Sequence, residues 1–191
     1  ALQVAILPAR LRRVPLVAAR RVHFRASAWK WNRPDRVIAI SETVRDALLR
    51  GGIDRDRIRS IHSGVDVAEL TAQEPLAPSL RERLGLGEDD FLVGNIGHLH
   101  RYKGQSVIPA AAALLPDVHW VIIGEGPERA ALEAAIARHD VGDRVHLTGF
   151  LPDARRVLGE FDAFVFSSTN EPLGTSVLDA MAREIPVIGA D

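Results

Sequence analysis

The chain has 191 residues, 47% of them hydrophobic and 26% charged, which is the balance of a folded chain with room for one core, or for one domain and part of another. It contains no cysteine, which excludes disulfides and thiolate chemistry, and its aromatic share of 5% without interleaved basic residues argues against a nucleic-acid partner. The net charge of −1 conceals a polarity: seven arginines and one lysine lie between Ala1 and Pro34 with no acid, while the remainder carries 16 basic groups against 25 acidic ones.

Taken in chain order, the stretch Leu2 to Leu11 is apolar but broken by Pro8 and Arg10. It falls short of the ~20 apolar residues of a membrane span and lacks the basic-then-apolar order of a signal peptide. The cationic segment around it suits anionic lipid headgroups or a phosphorylated acceptor, and a solvated arginine-rich face fits the same composition. The expectation is a cytoplasmic protein with peripheral contact to the inner face of a membrane.

Val14 to Ala19 reads as a buried parallel strand, and Arg36 to Ile40 as another. Ser41 offers an N-cap to a helix whose Val44, Leu48 and Leu49 share a face and which Gly51-Gly52 ends. Ile58 to Ile61 is a further short strand. Ser63 to Ser79, with Pro75 and Pro78, reads as an irregular linker, which places the division of the chain between residues 1–75 and 76–191.

Beyond it, strands are expected at Phe91–Ile96, Val118–Ile123, Val145–Leu147, Ala163–Phe166 and Pro186–Ile188, and helices at Gln105–Leu115, Arg129–Arg138, Ala154–Gly159 and Thr175–Arg183. This alternation predicts an α/β fold with a doubly wound parallel sheet, whose ligands sit in the loops beyond the C-terminal ends of the strands. The chain begins in mid-pattern and stops just after a strand, so a cut through a larger protein is expected at both ends.

Three such loops carry candidate chemistry. Gly97-His98-Leu99-His100-Arg101-Tyr102-Lys103-Gly104 opens a helix with cationic groups beside two glycines, an arrangement suited to phosphate, although a solvated loop has the same composition. In Gly124-Glu125-Gly126-Pro127, the glycines would let a ligand approach the backbone and Glu125 would accept from hydroxyls. The third loop runs from Asn170 to Ala182. Gly174, Thr175 and Ser176 form a helix N-terminus that would turn its N–H groups on an anion, and Glu171 and Asp179 flank it with carboxylates that suit vicinal diols. Helix-dipole complementation by Asp179 and a solvated Glu171 is the plainer account of the same residues.

Asp54-Arg55-Asp56 follows a helix end rather than a strand of the nucleotide domain, and His62, His119, His139 and His146 lack a second ligand at metal spacing. No metal site is therefore expected. A dinucleotide-binding Rossmann protein is disfavoured because no G-x-G-x-x-G fingerprint follows a strand.

Glu171 to Ala182 resembles the acidic signature of the retaining glycosyltransferases of family 4, usually Glu-Pro-Phe-Gly followed by Leu-Glu-Ala-Met-Ala. Gly97–Gly104 resembles that family's Gly-Arg-Leu…Lys-Gly phosphate motif, Gly124–Pro127 its Gly-x-Gly-Pro turn, and Ile61–Asp66 its interdomain segment. The order and spacing match from about Val14 to the end. The resemblance implies the GT-B fold, here as the tail of an acceptor-side Rossmann-like domain and most of the donor-binding one. It implies Lys103 on the diphosphate, Glu171 on donor-sugar hydroxyls, Asp179 on the ribose hydroxyls and the backbone of Phe150-Leu151 near the base.

It further implies transfer from a nucleotide-diphosphate sugar with retention and without a required metal or other cofactor. The acceptor would be a saccharide or a lipid-linked group in the synthesis of bacterial cell-envelope polysaccharide or lipopolysaccharide. A nucleotide-sugar-binding module that does not transfer on its own is the alternative. Four positions depart from the family pattern: His98 replaces an arginine, so that Arg101 or a protonated His98 must supply the second charge; Asp179 replaces a glutamate; Leu173 replaces an aromatic; and Arg20 or Arg21 stands, on the acceptor side, where many relatives have a histidine.

Overall fold

Apolar strands without polar alternation need cover on both faces, and the local signals say where the cover comes from. A computed structural model describes residues 2–22 and 25–190. By contacts it divides into two units, Ala1–Gly64 and Val65–Asp191.

In the first unit the broken apolar stretch forms helix α1 (Leu2–Leu11), which contains Pro8. Strand β1 (Val17–Arg20), the short helix α2 (Ala28–Trp31), strand β2 (Arg36–Ala39), helix α3 (Glu42–Arg50) and strand β3 (Ile58–Ser60) follow. The strands form a parallel sheet in the order β1-β2-β3, with Val37 paired to both Ala18 and Ile58. Ser41 caps α3 as its position suggests, its Oγ accepting from the Val44 amide at 3.3 Å. Val44, Ala47 and Leu48, spaced i, i+3 and i+4, are the buried stripe of α3. Val37, Val44 and Leu48 are fully buried.

The second unit begins earlier than the expected 75/76 division. The segment read as a linker carries helix α4 (Val67–Thr71), and helix α5 (Leu80–Leu84) starts at its end. The Asp66 carboxylate accepts from the Glu69 amide at 3.0 Å, and Ser79 with Glu82 makes a reciprocal capping box. Leu70 and Leu80 are buried in the same core as Leu92 and Phe164, which ties both helices to this unit. Prolines and small residues suggest irregular chain, yet the cap signatures Asp-x-x-Glu and Ser-x-x-Glu were present in the sequence.

Strand β4 (Phe91–Ile96), helix α6 (Ile108–Leu114), strand β5 (Val118–Ile123), helix α7 (Arg129–Arg138), strand β6 (Val145–Gly149), strand β7 (Ala163–Phe166), helix α8 (Thr175–Ala182) and strand β8 (Val187–Gly189) complete it. Gln105–Val107 and Ala154–Glu160, both expected as helix, adopt 3-10 geometry. The sheet is parallel throughout, in the order β6-β5-β4-β7-β8.

Alternate residues feed two cores. Leu92, Val121, Ile123 and Phe164 pack on one face with Leu158, Phe161 and Ala180, while Val93, Trp120, Ile122 and Ala163 pack on the other with Ile108, Leu132 and Ile136. The chain leaves central β4 toward β5 and β6, then returns to start β7 on the opposite side. The loops after β4 and β7 therefore diverge, which opens a crevice at the C-terminal edge of the sheet.

Candidate functional site

Three loops meet at that crevice, and backbone contacts weld them together. The amide of Gly97 donates to the Ile123 carbonyl at 3.0 Å, and that of Leu99 to the Glu125 carbonyl at 2.9 Å. A Cβ on Gly124 would lie 1.9 Å from the Gly97 carbonyl oxygen, and one on Gly126 would lie 2.2 Å from the Leu99 carbonyl oxygen. These glycines were expected to admit a ligand. The structure corrects that: the missing side chains make room for the neighbouring loop, and the cleft takes its shape from the weld. Glu125 likewise is bonded to Arg129 at 2.8 Å, and Arg129 also reaches Glu133 at 2.9 Å.

The loop after β7 grips the loop after β4 in the same manner. Ser167 Oγ donates to the Lys103 carbonyl at 2.9 Å, and the Thr169 amide donates to the Tyr102 carbonyl at 2.9 Å. Lys103 ends a single 3-10 turn, Arg101–Lys103, and its ammonium forms an ion pair with Oε2 of Glu171. Both side chains are largely buried, at 19% and 18% exposure. These two residues, 68 apart in sequence, are thus brought together as the loop pattern suggests.

Gly174 is the N-cap of α8, with φ 70°, and its first-turn N–H groups have no partner within the helix. Asp179 sits one turn inside α8, buried at 6% exposure. Its Oδ2 accepts from Nε of Arg155 at 2.9 Å, while its Oδ1 is buried without a hydrogen-bond partner. A cleft of about 310 Å³ contains Gly97, Lys103, Arg155, Thr175, Ser176 and Asp179. A second, more apolar cleft of about 520 Å³ shares Ile96, Gly97 and Ala154 with it and adds His98, Gly124, Glu125, Gly126, Phe150 and Leu151. One cleft therefore offers an anion-binding helix end with cations and carboxylates, and the next offers a flat apolar wall.

Two expected groups lie elsewhere. Arg101 lines a separate shallow depression with His100, Ser106 and Glu128, away from the ammonium of Lys103. A 3-10 turn places residues i and i+2 on different sides, so proximity in sequence does not make these two cations neighbours in the cleft. Arg20 and Arg21 belong to the first unit, at and just beyond the C-terminal end of β1. The Arg20 guanidinium lies 4.9 Å over the Trp31 ring and donates through Nε to the Val22 carbonyl, and burial lowers its pKa from the ordinary arginine value.

The residue that sequence reasoning missed is Arg155. It lies in the 3-10 segment that crosses from β6 to β7, and only the strand order reveals that this crossover passes α8. Asp54 faces Arg57 at 3.7 Å. Among the described residues no three His, Asp or Glu side chains group as metal ligands, and no helix is long and apolar enough to cross a membrane.

Residues 77–191 match the family model described as glycosyl transferases group 1, and residues 4–69 match that of glycosyltransferase family 4. The chain is 29% identical over 181 residues to the 2-deoxystreptamine glucosyltransferase of Streptomyces kanamyceticus, covering 91% of this chain and 45% of that protein. It is 31% identical over 124 residues to the lipopolysaccharide core biosynthesis glycosyltransferase LpsD of Rhizobium meliloti, covering 65% and 36%. Among solved structures, Anabaena HepE in complex with UDP and glucose superposes with a TM-score of 0.85 at 27% identity, over 100% of this chain and 56% of that one. The chain thus spans about half the length of the relatives it matches, and its fold is the Rossmann-like α/β architecture of GT-B glycosyltransferases.

Proposed function

Because this chain belongs to the group 1 glycosyl transferases, we propose that its second unit binds a nucleotide-diphosphate sugar and serves a sugar transfer that proceeds with retention. The base lies against the apolar wall at Phe150 and Leu151, the ribose hydroxyls meet Asp179, and the diphosphate meets Lys103 and the N-terminus of α8. Glu171 takes hydroxyls of the donor sugar. The observation that carries this reading is the convergence of Lys103, Glu171 and Asp179 on one helix end at the point where the strand order reverses.

The geometry gives each group a task. In transfer, the bond from the anomeric carbon to the diphosphate oxygen breaks, its electron pair leaves on that oxygen, and the acceptor hydroxyl oxygen forms the new bond as its proton is lost. Charge therefore grows on the diphosphate, where an ammonium and unpaired helix N–H groups stabilise it without reorganisation. Glu171 keeps the ammonium inside the cleft until the diphosphate competes for it. With these cations present, donor binding needs no metal ion. The acceptor is a saccharide or a lipid-linked group of the bacterial cell envelope, approached from the side of Arg20 and Arg21. The cationic segment before Pro34 makes a peripheral contact with anionic lipid.

A titration of the purified protein with UDP, GDP and ADP and their sugars tests the reading. Binding of at least one nucleoside diphosphate is expected, tighter than its nucleoside. No binding across the panel would overturn it.

A further inference from the structure

The smaller cleft has few cations for a diphosphate. Among the described residues that line it, only Lys103 and Arg155 are positively charged, and the Lys103 ammonium already faces Glu171. His98 lies in the neighbouring apolar cleft and Arg101 in a separate depression. Resting on the nucleotide-sugar reading above, we propose that Arg155 supplies the second cation for the diphosphate and at the same time positions Asp179 for the ribose.

Three observations carry this. Arg155 is attached by one edge alone: Nε donates to Asp179 Oδ2 at 2.9 Å, while its two terminal nitrogens have no hydrogen-bond partner among the described residues. The side chain is 54% exposed on the cleft side, and Asp179 beneath it is 8% exposed. A guanidinium held in this way presents its remaining N–H donors as a fork, the geometry that matches phosphate oxygens.

The partner carboxylate is equally incomplete. Asp179 Oδ1 is buried with no donor, a state that native proteins rarely keep without a ligand or water to fill it. With Oδ2 held by Arg155, Oδ1 is the oxygen left for a ribose hydroxyl. One ion pair thus reads two parts of the same nucleotide, its cation the phosphates and its anion the sugar. The expected arginine is absent at His98 and its charge enters instead from the β6–β7 crossover.

The test is titration calorimetry on the purified chain with UDP, GDP and ADP, the matching nucleosides, and the 2′-deoxy form of the best diphosphate. Arg155→Gln should weaken the diphosphate by roughly 10- to 100-fold while changing nucleoside affinity far less. It should also shrink the preference for ribose over 2′-deoxyribose. Arg155→Lys, which keeps the charge but not the fork, should recover part of the diphosphate affinity. A folded Arg155→Gln protein with the wild-type ratio of diphosphate to nucleoside affinity would overturn the proposal, and so would an equal loss for both ligands, the mark of a merely structural role. Failure of the wild-type protein to bind any diphosphate would instead sink the parent reading.

Discussion

The two ends of the five-stranded sheet each hold an arginine–aspartate pair, and the pairs differ in how completely they are bonded. At the N-terminal end, Arg81 donates through Nε to the Glu160 carbonyl at 3.1 Å and through NH1 to the carbonyls of Gly87 and Asp90 at 3.0 and 2.7 Å. Its NH2 reaches Asp162 Oδ2 at 2.8 Å, and that oxygen also accepts the Leu92 amide at 2.7 Å. The Glu160 carboxylate in turn accepts the amides of Leu80 and Arg81. At the C-terminal end, Arg155 makes one bond to Asp179 and leaves a buried oxygen orphaned. The same two residue types serve as a clasp where every donor and acceptor is used, and as a binding site where some are left open. Completeness of hydrogen bonding, more than residue identity, separates the structural pair from the functional one.

If this contrast is right, damage at the two ends should register in different measurements. The largest effect on stability belongs to the clasp. Arg81→Ala removes several charge-assisted bonds from a partly buried network and should cost about 2–4 kcal/mol in urea unfolding, with nucleotide affinity unchanged in the folded fraction. A loss below ~0.5 kcal/mol would show that the network is ornamental.

At the other end the order reverses. Lys103→Ala should weaken binding of the best nucleoside diphosphate by roughly 10- to 100-fold, about 1.5–3 kcal/mol. Its effect on unfolding should stay within about 1 kcal/mol, because the pair it breaks lies in a cleft that water can enter. Unchanged calorimetric affinity would remove Lys103 from the site.

A smaller effect tests an incompletely bonded spot at the N-terminal end. His119 and His146 stack across β5 and β6 with ring centroids 5.9 Å apart, and each has a buried nitrogen without a partner. Burial first, and then the neighbouring His119, lowers the His146 pKa below the ordinary imidazole value. The unfolded chain therefore binds the proton more readily than the folded one. This contribution to stability is fully present above the unfolded pKa of about 6.5 and is lost as pH falls through the folded value. Wild-type Tm should decline modestly from pH 7.5 to 5.5, and His146→Gln should flatten that slope. A variant with the wild-type slope would assign the decline to other groups.

The least change of all is expected on chelation. With Lys103, Arg155 and the α8 terminus facing the diphosphate, EDTA should leave nucleotide affinity unaltered. A loss that magnesium or manganese restores would return attention to Asp54 and Asp56.

Much of this was legible in the sequence because it is local. Apolar runs bounded by turns marked β4, β5 and β7 at their observed limits, the spacing of Val44 and Leu48 marked the buried face of α3, and Ser41 marked its start. Helices α4 and α5 escaped notice because prolines drew attention away from the cap signatures of Asp66 and Ser79. Glu171, Asp179 and Lys103 stood out because a helix start after a strand is a recognisable anion site wherever the sheet later places it.

Tertiary structure decided what no window of sequence contains. The strand order β6-β5-β4-β7-β8 brings the loops after β4 and β7 to one crevice and sends the crossover from β6 past α8. Lys103 meets Glu171 across 68 residues and Arg155 meets Asp179 across 24, while Arg101, two residues from Lys103, turns away from the cleft. Local patterns report which face of an element is buried, since burial repeats with the period of the backbone. Which charges become neighbours depends on how the elements are ordered in the sheet, and that is set by packing over the whole unit.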